Sequence, residues 1–262
     1  MLVTSVVSLK GGVGKTSVVL GLASSAVRRG IDTLVVDLDP QSNATLTLDP
    51  APGSATIADL LSDTGTSRVG RTVATTAWGD RLRLIPGSED AERLNDPKPT
   101  ARSLTRLRTA LGRVRPEPEL VLIDCPPSLG QLTRNGLVAS QRAVLVTEPA
   151  LFSVTGVQRA LEAVQDERAH QPELRPLGVV INKARARSSE QDYRIAELRE
   201  LFGPLVLSPT LPDRTAIQQA QGAGVPIHEW PTAGAREISA AFDRLLDRLL
   251  RSANPSAATV AS

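Results

Sequence analysis

The stretch that most constrains this chain is Ser8 to Val18, SLKGGVGKTSV. Gly11, Gly12 and Gly14 precede Lys15 and Thr16, and glycine there permits positive φ angles and a close approach of backbone to ligand. Successive N–H groups in such a loop converge on an anion. The apolar run LVTSVVS before it reads as a buried strand, and residues 15–29 after it read as a helix that Gly30 stops. The helix N-terminus then points at the same anion. In this arrangement Lys15 reaches the β- and γ-phosphates of a nucleotide and the Thr16 hydroxyl ligates Mg²⁺. The strict pattern wants glycine at position 9, where Leu9 stands, and Lys10 follows it. A second lysine beside the loop is costly unless it meets an anion.

The remaining apolar runs are short and alternate with longer amphipathic stretches. DTLVVDLD, LRLIPG, ELVLIDCPP, RAVLVTEP, PLGVVINK and GPLVLSP are strand candidates. Helical patterns occupy 103–114, 153–168, 189–201 and 213–221. Such alternation predicts an α/β fold, a doubly wound, mostly parallel sheet with helices on both faces. The chain has 262 residues, which suits one domain or at most two small ones. Aromatics are only 2% of it, so the core must be built from Val, Leu, Ile and Ala, as in a buried parallel sheet. The expected domain is 1–251. The stretch 252–262, SANPSAATVAS, has the composition of a disordered tail, and 63–80 carries no element pattern. One cysteine, Cys125, excludes an internal disulfide, and two histidines make a zinc site improbable. Neither a membrane-length apolar run nor a basic leader is present, so the expected location is cytoplasmic.

Ligands of open α/β sheets sit beyond the carboxyl ends of the strands. Besides the glycine loop, DLDPQ and DCPP fall at such ends and bring Asp37, Asp39 and Asp124. A carboxylate that closes the strand LVLID, as Asp124 does, suits Mg²⁺ held through water. Cys125 beside it reads as packing, because no His–Asp partner pattern accompanies it.

Three blocks in order, KGGVGKT, VVDLDPQSNAT and LVLIDCPPSLGQLTRNGL, resemble the deviant Walker A motif and the two switch regions of the ParA/MinD family of dimeric P-loop ATPases. The DPQ block is more typical of the ParA branch, which partitions DNA. The resemblance spans nearly the whole chain and weakens at 51–80 and after 188. It implies ATP and Mg²⁺ as ligands, with Lys10, Gly11, Gly12, Val13, Gly14, Lys15, Thr16 and Ser17 around the phosphates. It further implies that Lys10 crosses to the other subunit's ATP, stabilising charge there as an arginine finger does. Asp39 positions or activates the attacking water. Thr16, Asp39 and Asp124 serve the metal, and Asp37 contributes to its shell through water. Family members often contact the base from the strand ends that here carry Asn182 and Pro212-Asp213; Asn182 reads equally well as a turn residue, and Asp213 as a helix cap. The single cysteine excludes the cluster-bearing nitrogenase iron protein, which shares the loop.

Partition ATPases bind DNA without sequence preference as ATP dimers and are discharged by a ParB-like adaptor. The resemblance therefore implies a homodimer associated with the nucleoid. Net charge is only +2, so a DNA surface must be local. Lys183, Arg185 and Arg187 in NKARARSS form the first candidate, and Arg102, Arg106, Arg108, Arg113 and Arg115 the second. The sequence departs from the family where a DNA-contacting arginine is usual, at Ala216, for which Arg214 is the nearest substitute. Ser42 and Ser17 are smaller departures. One rival is a MinD-like membrane-cycling ATPase. It needs a basic amphipathic C-terminal helix, whereas Arg244, Arg248 and Arg251 are offset here by Asp243 and Asp247. Its apolar face, Ile238, Ala241, Phe242, Leu245, Leu246, Leu249 and Leu250, reads as core. A second rival is a metabolic ligase of the dethiobiotin synthetase type, against which the DPQ block argues.

Overall fold

The computed structural model of the chain describes residues 1–253. In chain order the elements are β1 (Leu2–Val7), α1 (Lys15–Arg28), β2 (Thr33–Asp37), α2 (Asn43–Leu48), α3 (Ile57–Ser62), α4 (Thr66–Thr72), β3 (Ala74–Thr75) and β4 (Leu82–Ile85). There follow α5 (Ala101–Leu104), α6 (Arg106–Leu111), β5 (Leu120–Asp124), α7 (Gln131–Ala139), β6 (Arg142–Thr147), α8 (Ser153–Glu167) and β7 (Arg175–Ile181). The chain closes with α9 (Ser189–Phe202), α10 (Thr215–Gly222) and α11 (Ala233–Ala253). The sheet runs β3-β4-β2-β5-β1-β6-β7, parallel throughout except for β3 against β4.

Both faces of the sheet are covered, so alternate residues of one strand enter different cores. Val36 and Ile123 pack under α7 and α8, whereas Val35 and Leu122 pack under α1 and α11. This is the doubly wound α/β sheet that the apolar runs predicted. The expected core face of α11 is buried too, with Leu250 partly exposed. Its Phe242 lies so close to α1 that a Cβ on Gly21 would meet the ring. A buried triad adds to this seam: His228 Nδ1 pairs with Ser24 Oγ at 2.7 Å and Nε2 with Asp243 at 3.2 Å. Ser24 is 2% exposed, so the arrangement ties α1 to α11 and has no opening for a substrate.

Several expectations need correction. GPLVLSP is not a strand: Gly203–Leu205 is a 3₁₀ turn with Pro204 at its start, and only Val206 bridges β7. The expected helix at 103–114 is two short helices, broken at Thr105, whose hydroxyl donates to the Arg102 carbonyl at 3.1 Å. The stretch 63–80 carries α4 and β3. The expected domain boundary at 251 falls inside α11, which continues through Ala253 and is anchored by Arg142 donating to Ser252 Oγ. The rest of the expected tail, 254–262, lies outside the described residues. Among the described residues no helix is long and apolar enough to cross a membrane.

Gly21→Ala would ordinarily favour a helix by roughly 0.5–1 kcal/mol, but here the added methyl meets Phe242. We expect net destabilisation of about 1–3 kcal/mol, read as a lowered Tm. The second change Phe242→Leu should recover part of it. A Gly21→Ala protein that melts with or above the parent would refute this packing.

Candidate active site

β1 delivers the chain to the carboxyl edge at the middle of the sheet. There Gly12 and Gly14 take φ of 78° and 89°, left-handed values that favour glycine. The Val18 N–H donates to the Gly14 carbonyl at 3.0 Å, which starts α1 at Lys15. The first N–H groups of that helix therefore have no partner within it. They open on a cleft of about 540 Å³ lined by Gly11, Gly12, Gly14, Lys15, Thr16 and Ser17. Asp39, Pro127 and Lys183 line it as well. A larger hollow of about 950 Å³ lies around Met1, Arg142 and Arg175, at the amino ends of the strands and away from the loop.

Asp124 is fully buried beneath the loop, and its Oδ2 accepts the Thr16 hydroxyl at 2.6 Å. Its Oδ1 is buried without a hydrogen-bond partner. An unpaired carboxylate oxygen beside a threonine hydroxyl is a donor set for a hard cation, so these residues fit Mg²⁺. Among the described residues no three His, Cys, Asp or Glu side chains cluster as metal ligands.

Asp37 stands opposite Asp124 on the neighbouring strand. Burial first, then the Asp37 charge, pushes the Asp124 carboxyl up to about 8. Burial likewise raises Asp37 to about 6. The structure gives Asp37 a second task beside the one expected at the metal. Its Oδ1 accepts the Asp39 N–H at 3.2 Å, and its Oδ2 accepts the Thr45 N–H and hydroxyl at 2.9 and 2.7 Å. It holds the segment that presents Asp39. The Asp39 Oδ1 accepts the Gln41 N–H at 3.0 Å, and the side chain lines the cleft. Burial pushes the Cys125 thiol far up, consistent with packing.

Other expected site residues are redistributed. Lys10 is largely exposed at the rim and pairs with Glu148 at 3.6 Å. Lys183 belongs to the loop and not to a basic surface: its Nζ donates to the Gly12 carbonyl and pairs with Glu148 at 2.9 Å. Asn182 is buried, and one N–H of its Nδ2 donates to the Val13 carbonyl at 2.8 Å, leaving the second N–H and Oδ1 uncommitted by that bond. Pro212 bridges Ala184, and Asp213 is paired with Arg185 at 2.9 Å. That pair couples a residue expected at the base to one expected at DNA. Arg187 is exposed and makes no ion pair among the described residues. Arg214 is no free substitute at position 216, since it grips Glu237 at 2.8 Å and Ala216 is buried. In the second arginine group, Arg106, Arg108, Arg113 and Arg115 all donate to backbone carbonyls.

Sequence reasoning missed Glu148 and the two glutamines of α10 that line the cleft, Gln218 and Gln221. Gln221 Nε2 donates to the Ser17 hydroxyl at 3.2 Å. Glu148 closes the run RAVLVTEP as Asp124 closes LVLID, so the same strand-end logic would have found it. The glutamines carry no pattern.

Residues 1–175 match the family model described as an AAA domain. The chromosome-partitioning ATPase Soj of Thermus thermophilus is 32% identical over 92% of this chain and 92% of its own length. The chromosome partitioning protein ParA of Caulobacter vibrioides is 29% identical over 86% of this chain and 85% of its own. Among solved structures, cobyrinic acid a,c-diamide synthase from Mycobacterium smegmatis with bound ADP and magnesium superposes with a TM-score of 0.76. It is 25% identical and covers 96% of this chain and 94% of its own.

The pKa of Asp124 is higher in the folded chain than its unfolded value of 3.8, so folding favours its protonated form. The ligand-free fold is thus unpenalised below pH 3.8 and loses stability as pH rises from there to about 8. Asp124→Asn should raise the ligand-free Tm at pH 8.5 more than at pH 5.5, by about 2–4 °C for each kcal/mol relieved. A Tm difference that does not change with pH would refute the buried charge.

Proposed function

The chain belongs to the ParA-type partition ATPases, and on that premise we propose that it hydrolyses ATP to drive the movement or positioning of a DNA-linked cargo. The observation that carries the reading is the buried Thr16–Asp124 contact beneath a left-handed glycine loop, with Asp39 lining the same cleft. Lys15 binds the β- and γ-phosphates, and the loop amides close around them. Thr16 and, through water, Asp124 hold Mg²⁺, which supplies charge neutralisation between the phosphates. Asp39, fixed in place by Asp37 and Gln41, orients the attacking water. Lys10, exposed at the rim, reaches the nucleotide of a second copy, so that ATP closes a homodimer. The dimer binds DNA through phosphate contacts without reading sequence, and a ParB-like adaptor stimulates hydrolysis and release. Arg187 is the one residue of the expected cluster with neither a loop nor an ion-pair partner among those described. The burial of the apolar face of α11 supports DNA over a lipid surface as the substrate of binding.

Lys15→Ala should abolish MgADP binding in calorimetry; unchanged affinity would remove the loop assignment. Asp39→Ala should bind ATP and accumulate as a stable dimer in size-exclusion chromatography, and parent-rate hydrolysis by this variant would refute its role. Lys10→Ala should keep MgADP affinity yet fail to dimerise with ATP, with hydrolysis reduced about 100-fold or more. A Lys10→Ala protein that dimerises and turns over like the parent would rule out action across the interface. The logarithm of the DNA-binding constant should fall linearly with the logarithm of salt, less steeply in Arg187→Glu. Identical slopes would place the DNA surface elsewhere.

A further inference from the structure

We propose that Asn182 and Lys183, the two residues that follow β7, are positioning residues that preset the phosphate loop before any nucleotide arrives. The proposal rests on the ATPase reading of that loop. A trans peptide unit holds the carbonyl of one residue and the N–H of the next on opposite sides of a rigid plane. Fixing the Gly12 carbonyl therefore fixes the Val13 N–H, and fixing the Val13 carbonyl fixes the Gly14 N–H. The structure fixes both carbonyls through side chains that follow β7. Lys183 Nζ donates to the Gly12 carbonyl, and Asn182 Nδ2 donates to the Val13 carbonyl at 2.8 Å. Two consecutive N–H groups are thereby aimed away from the brace.

Further features show that this brace is built and held. The Asn182 amide lies where a Cβ on residue 14 would stand, so Gly14 is needed for the interlock as well as for its φ of 89°. Lys183 has φ of 56°, which a residue with a side chain adopts at a cost. Its neighbours are pinned on both sides: the Asn182 N–H donates to Thr147 at 2.8 Å, and the Ala184 N–H donates to Leu211 at 3.0 Å. Glu148 supplies the counter-charge at 2.9 Å from Lys183, and its other oxygen lies 3.6 Å from Lys10. Lys183 thus spends its charge on Glu148 and its hydrogen bond on the loop, and an ordered loop binds phosphate without first losing conformational freedom.

Asn182 is buried, whereas Lys183 is part-exposed and can be changed without endangering the core, so Lys183 carries the test. Amide hydrogen exchange is measured on the nucleotide-free full chain for Lys183→Met and Lys183→Arg, together with MgADP affinity by calorimetry. In Lys183→Met, exchange at Val13 and Gly14 should be about fivefold faster or more, and MgADP should bind about tenfold more weakly. Lys183→Arg keeps a cationic donor, and recovery of both quantities supports the brace. Weaker MgADP binding with unchanged exchange would overturn the proposal, because Lys183 would then be touching phosphate directly. Unchanged exchange and affinity would overturn it as well. A parent protein that does not bind MgADP would remove the ATPase reading, while exchange without nucleotide still decides the brace.

Discussion

Two carboxylates that cannot both be comfortable as anions set the terms of this site. Asp37 and Asp124 end adjacent strands in register and are fully buried. Burial raises both above the ordinary carboxylate range, and the Asp37 charge adds to the rise at Asp124. The surroundings relieve the two differently. Asp37 accepts three N–H and hydroxyl donors from its own loop, so it acts as a structural acceptor. Asp124 receives one hydroxyl and the nearby Lys15 charge, and keeps one oxygen unpaired. The molecule therefore carries a stored electrostatic cost that a magnesium–nucleotide complex is suited to discharge. Stability of the empty protein and affinity for the charged ligand are opposed by the same atoms.

The features legible in the sequence were those that act over short distances. The glycine loop, its helix and the strand-ending aspartates are each contiguous, and alternating apolar runs give a doubly wound sheet almost directly. What stayed hidden depends on distant partners. Asn182 and Lys183 reach back to Gly12 and Val13 across some 170 residues, and no local pattern encodes that. The carbonyls that Arg106, Arg108 and Arg113 reach lie 45 or more residues away, so composition does not show those bonds. The helix at 103–114 was misjudged because Thr105 bonds its own backbone, a choice that periodicity does not register.

The same exchange of roles runs through the basic residues. A chain with net charge of only +2 depends on where its cations are placed. Lys183 serves the loop, Arg185 neutralises Asp213, Arg214 grips α11 through Glu237, and Arg194 is held between Glu190 and Glu197. These four are held by particular carboxylates or by the loop, so composition alone does not locate a basic surface.

The borders of the sheet have a bearing on assembly. One border is closed by β3, two residues long and antiparallel to its neighbour. The other is covered by the return of the chain after α9, where the Leu207 and Leu211 N–H groups donate to β7 at 2.8 Å each. Among the described residues neither border offers a row of unpaired backbone groups long enough to recruit a strand from another molecule. Filament growth by continuous sheet is thereby suppressed, and copies that meet must do so through loops and helices. Contacts of that kind can be made and broken with the state of the cleft, whereas a shared sheet would outlast it.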